Sequence, residues 1–333
     1  KKRVWITYPR QTTSDTGITL RQPSQFAVLL QEKPELSDYS EIEADGEKLL
    51  PLLEAKLNQP ILDIARIKAA EKAYLKKLLE NFVLSPTTLN RYLKNPDDFL
   101  HQDLLHAPQA EDENGYLAFG VAIHRVLEEL YKAKLTGQPL PDFEMIENIF
   151  WRKLKSANLA NDVEQAWRKL GLDNLERLYQ NAQHDQGHIF GLEKNFGQAV
   201  PVLCDGVAIK GKIDRLDLLT DDTLVVTDYK TGRAKSDNAI RKIGSGASER
   251  EQALPPNLQS EYIRQLLFYK ILVENDPQNK YSVSLGQLNF VIERESGKAV
   301  VRKVVFNDED VLTMKNLIKQ VDGEIRNLEF LNT

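Results

Sequence analysis

Cysteine is nearly absent from the 333 residues; the only one is Cys204. That excludes an intrachain disulfide framework, a zinc ribbon and a four-cysteine iron–sulfur cluster. Long apolar runs are also missing: none reaches the ~18 residues a membrane helix needs. The opening Lys1-Lys2-Arg3-Val4-Trp5 has no apolar signal-peptide core, so the expected compartment is the cytoplasm, with no membrane partner. Positive charge is not in excess, because 44 basic and 49 acidic residues leave a net charge of −5. A uniformly basic nucleic-acid sleeve is therefore excluded, although a local basic groove is not. Internal repeats and low-complexity tracts are lacking. What remains is an ordinary globular composition, 41% hydrophobic and 28% charged, which can bury a core. At ~150 residues per domain, the length fits one or two domains.

The first part reads as helical. Val4 to Tyr8 suggests a short strand, Gln11 to Gly17 a polar loop, the stretch through Leu30 a short helix, and Asp38 to Asp45 an exposed linker. Apolar residues at helical spacing predict a helix over Ile61 to Phe82. Ser85-Pro86 supplies a cap and a first-turn proline for a helix running to about Leu93. Further helices are predicted over Ala118 to Leu135, Phe143 to Ser156 and Val163 to Gln183. After His188 the texture changes. Phe190 to Phe196, Ala199 to Leu203, Val207 to Leu219 and Thr223 to Tyr229 read as strands separated by Gly and Asp turns. A long loop, Thr231 to Leu258, precedes a helix over Glu261 to Glu274, strands over Tyr281 to Ile292 and Ala299 to Phe306, and a last helix over Asp308 to Asn327. The order predicts a mixed α/β (α+β) fold without the strict alternation of a doubly wound sheet.

The chemistry concentrates in Gly211-Lys212-Ile213-Asp214-Arg215-Leu216-Asp217 and Val225-Val226-Thr227-Asp228-Tyr229-Lys230-Thr231-Gly232. Alternation along the first strand places Asp214 at its far end. Asp228 and Lys230, two apart on the second strand, point to one face. Two carboxylates suit a hard divalent cation, and an adjacent ammonium can orient a water or stabilise charge on a phosphate. Taken alone, Asp-x-Lys reads as a surface ion pair.

The combination resembles the PD-(D/E)XK nuclease superfamily, in particular its RecB-like branch. That branch carries Gly-x-x-Asp-Arg-x-Asp on one strand and Asp-Tyr-Lys-Thr-Gly on the next. Three further segments resemble its motifs in the expected order: Ser85-Pro86-Thr87-Thr88-Leu89, the helix Gly120 to Glu128 with His124, and Gln265-Leu266-Leu267-Phe268-Tyr269. The resemblance spans about Leu84 to Leu328. It implies a restriction-endonuclease-like core, a mixed sheet flanked by helices. It also implies a Mg²⁺-dependent deoxyribonuclease, with Mn²⁺ able to substitute, acting on DNA and preferring single strands. His124, Asp214, Asp228 and the carbonyl of Tyr229 are then the metal ligands. Lys230 is the catalytic lysine beside Asp214 and Asp228, and Gln265 and Tyr269 support the site or touch DNA. Glu193 matches a variable strand acid that serves the site indirectly or holds a second metal. A catalytically silent nuclease fold that binds DNA or braces a motor is the rival reading.

Other residues carry less. Glu128, one turn from His124, reads as a structural or exposed charge, and Asp217 as a partner of Arg215 or Lys212. His184 and His188 have zinc-like spacing but no third ligand. Gly244-Ser245-Gly246 follows no strand and reads as linker rather than phosphate cradle. Between Thr231 and Arg250, five basic residues (Arg233, Lys235, Arg241, Lys242, Arg250) face two acidic ones, which suggests that Arg241 and Lys242 contact a DNA strand. Lys1 to Thr7 and Pro23-Ser24-Gln25-Phe26 resemble the end of a UvrD-like superfamily 1 helicase motor. That implies a helicase partner preceding the chain, with residues 1–36 a motor remnant, 37–83 a helical linker and 84–333 the nuclease domain. No Walker A sequence is present, so an ATP site is not expected here.

Overall fold

Alternating β-branched and polar residues after position 188 build the sheet that organises this protein. The structure, a computed structural model, describes residues 11–14, 17–20, 69–106, 114–157, 159, 161–292 and 300–331. Residues 1–68 and 69–333 form two compact units. In the first, the described residues are an antiparallel hairpin, β1 (Gln11–Ser14) with β2 (Gly17–Leu20). This corrects the polar loop expected over Gln11 to Gly17: Thr12 pairs with Thr19 and Thr13 with Ile18, and β-branched residues favour extended backbone. The strand expected at Val4 to Tyr8, the helix through Leu30 and the linker at Asp38 to Asp45 lie outside the described residues.

The second unit opens with α1 (Ala69–Leu79), inside the helix expected from Ile61. Next comes α2 (Pro86–Lys94), where the Ser85 hydroxyl caps the Thr88 amide at 3.1 Å. After short helical turns over Pro96–Asp98 and Phe99–Leu104 come three longer helices: α3 (Asn114–Leu135), α4 (Phe143–Lys155) and α5 (Asn161–His184). Phe119, Ala122, Ile123, Val126, Leu127 and Leu130 form the buried stripe of α3 and pack against Phe150 of α4 and Leu175 and Leu178 of α5. Each such large apolar side chain contributes roughly 1.5–3 kcal/mol on burial.

The sheet has five strands in the order β3 (Ile189–Phe196), β6 (Gly211–Leu218), β7 (Thr223–Lys230), β8 (Ser282–Phe290), β9 (Val300–Val305), with a separate hairpin of β4 (Val202–Cys204) and β5 (Val207–Ile209). Within this five-stranded sheet β7 and β8 pair in parallel and the other neighbours antiparallel; the crossover between β7 and β8 contains α8 (Glu261–Glu274). Successive side chains of β7 point to opposite faces. Tyr229 enters the core of α3, α4 and α5, while Asp228 faces α8. Helix α8 is apolar nearly all round because it is enclosed, by β8 on one side and by α2 and the closing helix α9 (Asp308–Arg326) on the other.

Three expectations need correction. The single strand read over Val207 to Leu219 is two, because Leu84 pairs beside β5: its amide donates to Ala208 O at 3.2 Å and its carbonyl accepts from the Lys210 amide at 2.9 Å. The strand read over Ala199 to Leu203 begins only at Val202, after a turn at Gly197 (φ +74°), where a Cβ would sit 2.1 Å from Ile209 O. The loop from Thr231 to Leu258 holds two short α-helices, α6 (Asp237–Arg241) and α7 (Glu249–Gln252), each capped by the serine before it, and a 3-10 turn over Pro256–Leu258.

Candidate metal centre

The site forms where β6 and β7 part. Their ladder ends at the pair Arg215 and Thr227. One residue further, the Asp214 carboxylate replaces the backbone ladder, and Oδ2 accepts the Tyr229 amide at 2.7 Å. Asp214 thus lies in the middle of β6, not at the far end the alternation suggested; it stands at the end of one ladder only. On its other side β6 continues along β3, where the pairs Leu192 with Arg215 and Lys194 with Ile213 flank Glu193 and Asp214. Glu193 has φ +47°, a left-handed conformation that costs a non-glycine residue about 1 kcal/mol or more.

From α3, His124 reaches the same fork. Its Nε2 donates to Tyr229 O at 3.2 Å, and Nδ1 lies 3.4 Å from Asp214 Oδ1. Burial works to lower the imidazole pKa, but the bond to Asp214 and the charges of Asp214, Asp228 and Glu193 outweigh it, and the net shift is upward. A ring with an oxygen at each nitrogen is suited to the cationic form, so metal ligation there releases a proton.

Asp228 is almost wholly buried, and that burial raises its pKa although Lys230 pulls the other way. Lys230 Nζ lies 2.8 Å from Asp228 Oδ2. The ammonium thus lies directly against Oδ2 as its charge partner. Gln265, on α8, closes the group. Its Oε1 accepts from Lys230 Nζ and its Nε2 donates to Asp228 Oδ1, both at 2.8 Å. The Tyr269 hydroxyl donates to the same Oδ1 at 3.3 Å.

Ligand atoms of His124, Glu193 and Asp214 lie within 4.8 Å of one another. This cluster contains Glu193, which the sequence assigned an indirect or second-metal place, while Asp228 stands beside it, held by Gln265, Tyr269 and Lys230. An imidazole, carboxylates and a backbone carbonyl gathered at one fork form a donor set that fits a hard divalent cation. Among the described residues, His184 and His188 join no such cluster, and the His184 ring bonds Gln180 O instead. Glu128 pairs with Arg125 at 2.7 Å, and Asp217 with Arg215 at 2.7 Å, as expected. Arg241 and Lys242 are exposed at the end of α6.

Sequence reading missed Tyr262, whose ring lies 5.5 Å from Lys230 Nζ and 4.9 Å from Lys235 Nζ. Its signal was available, because Tyr262, Gln265 and Tyr269 share one helical face. It also missed Arg264, fully buried on α8 and bonded to Asn90, Glu251, Leu258 and Gln259. No helix among the described residues is long and apolar enough to cross a membrane.

A family model described as the PD-(D/E)XK nuclease superfamily matches residues 83–333. No curated protein matches the sequence. A crystal structure from Eubacterium rectale described as a "putative exonuclease" is 13% identical, with a TM-score of 0.45; the match covers 79% of this chain and 87% of that one.

Proposed function

This chain belongs to the PD-(D/E)XK nuclease superfamily, and from that premise we propose that it is a Mg²⁺-dependent deoxyribonuclease of the RecB-like branch, acting on single-stranded or unwound DNA. The observation that carries this reading is the Asp228–Lys230–Gln265 group standing beside the Asp214–His124–Glu193 cluster. His124, Asp214, Asp228 and the Tyr229 carbonyl hold the cation in this reading, with Glu193 at its edge. When bound, the cation polarises the phosphate and lowers the pKa of a water.

The chain's own groups do the rest. Lys230 offers a fixed ammonium to charge developing on the phosphate, or positions the water that attacks in line with the leaving 3′ oxygen. Gln265 fixes that ammonium, because its amide meets an acceptor and a donor and can satisfy both in one orientation only. Tyr269 and Gln265 together hold Asp228 Oδ1. Arg241 and Lys242 contact the phosphates of the strand being cut. The expected products carry a 5′-phosphate and a 3′-hydroxyl.

The helicase resemblance of Lys1 to Thr7 supports a motor partner and a role in DNA repair or recombination, with residues 84–333 as the nuclease domain. The silent-module reading is disfavoured by the intact Asp214, Asp228 and Lys230. End-labelled linear and circular single strands, incubated with Mg²⁺ or Mn²⁺, test the proposal. Cutting that requires the metal supports it, cutting of circles adds endonuclease action, and intact DNA in every lane overturns it in favour of the silent module.

A further inference from the structure

Two lysines accompany the acidic groups, and the structure holds them differently. Lys230 is fixed by Asp228 and Gln265, with its side chain 25% exposed. Lys212 lies two residues before Asp214 on β6, hence on the same face, and its Nζ pairs with Glu193 Oε2. Its side chain is 53% exposed, whereas that of Glu193 is 14% exposed. The flexible stem can therefore swing into solvent without disturbing the core, while Glu193 is set in place by its left-handed backbone and by the register with β6.

We propose that Lys212 is a resident counter-cation of the metal centre, which competes with the divalent ion for Glu193 and so sets the affinity of the site. The proposal rests on the metal-centre reading above. Glu193, Asp214 and Asp228 bring like charges together, a cost that an ammonium relieves in part and a divalent ion relieves more fully. An ion that takes Glu193 as a ligand displaces the Lys212 ammonium. Lys230 cannot leave Asp228 without also straining its bond to Gln265, whereas Lys212 swings away from Glu193 on an exposed stem.

Calorimetric titration of Mn²⁺ into the parent, Lys212→Met, Lys212→Gln, Glu193→Gln and the Lys212→Met/Glu193→Gln double variant tests this without any cleavage assay. Both Lys212 variants should bind Mn²⁺ roughly tenfold more tightly, the scale of one ammonium repelling a divalent ion through water-like screening. In the Glu193→Gln background the same change should tighten binding by less than about twofold. In EDTA, Lys212→Met should melt below the parent, and Mn²⁺ should abolish the difference. Unchanged or weaker affinity in both Lys212 variants overturns the proposal while leaving the metal centre intact. So does equal tightening with and without Glu193, which would make Lys212 mere background charge. A parent that binds no Mn²⁺ overturns both.

Discussion

Replacing Arg264 by Met should destabilise the nuclease unit far more than any surface change, and the structure allows the size to be worked out. The guanidinium is fully buried, and its Nη2 meets Glu251 Oε1 at 2.7 Å. It also donates to Leu258 O at 2.8 Å, Gln259 O at 3.0 Å and Asn90 Oδ1 at 2.7 Å. These bonds tie α2 and the segment after α7 to the helix that carries Gln265. Methionine fills a similar volume but leaves a buried carboxylate and two carbonyls unpaired, a loss of about 3–5 kcal/mol. At roughly 2–4 °C per kcal/mol for a unit of this size, the melting temperature should fall by about 6–20 °C. Glu251→Gln should cost less, because the one amide oxygen of glutamine still accepts from Arg264 or from the Ser248 amide, and only the other of these donors is left facing the amide nitrogen. The double variant should lose less than the sum of the two, since each single change strands the other's charge or hydrogen bond. Thermal melting by circular dichroism in EDTA reads all four proteins. A drop of under 2 °C for Arg264→Met, or strict additivity, would refute the clamp.

Three shorter predictions follow from the site and its surroundings. Lys230→Ala should abolish cleavage of labelled single strands yet keep the Mn²⁺-induced rise in melting temperature, because an ammonium is not a ligand. Arg241→Ala with Lys242→Ala should reduce the slope of log affinity against log salt by roughly 1.4 for single strands, leaving Mn²⁺ affinity unchanged; an unaltered slope would place the DNA elsewhere. For Glu324, burial raises the carboxyl pKa but bonds from Gln320, Arg250 and Tyr92 outweigh it and hold the group below its ordinary value. A depressed carboxylate contributes stability above its unfolded pKa of about 4.3 and loses it as pH falls through the folded value. Glu324→Gln should therefore flatten the acid limb of a stability–pH curve below about pH 4.3 while leaving its slope at neutral pH unchanged.

Much of this architecture was legible locally. Helix α8 runs from Glu261 to Glu274 as its pattern indicated, and the cap at Ser85 and Pro86 opens α2 as expected. Asp228 and Lys230 share a face because strand geometry alone requires it. What was not legible depends on contacts distant in sequence. The break at Lys210 comes from Leu84, more than a hundred residues earlier, pairing beside β5. The position of Asp214 at the fork depends on where the β6–β7 ladder ends, which no alternation records. Glu193 joins the cluster through a backbone conformation that sequence rarely announces for a glutamate. The helices within the Thr231 to Leu258 loop are too short for a hydrophobic period, although Ser248 and Glu251 carried a capping-box signal.

The central claim is that a divalent cation binds at the fork of β6 and β7, and Mn²⁺-dependent melting of the parent, Asp214→Asn and Asp228→Asn tests it most directly. Asparagine at 214 keeps an oxygen for the Tyr229 amide, and asparagine at 228 keeps an oxygen for Gln265 and Tyr269 while Lys230 keeps Gln265 Oε1, so both variants should stay folded in EDTA. A single site at a hundredfold excess over Kd adds ~2.7 kcal/mol, and the parent should then melt about 5–11 °C higher with Mn²⁺ than in EDTA. The account predicts that both variants lose most of this rise together with cleavage. A full parental rise in either one would place the cation elsewhere and contradict the assignment.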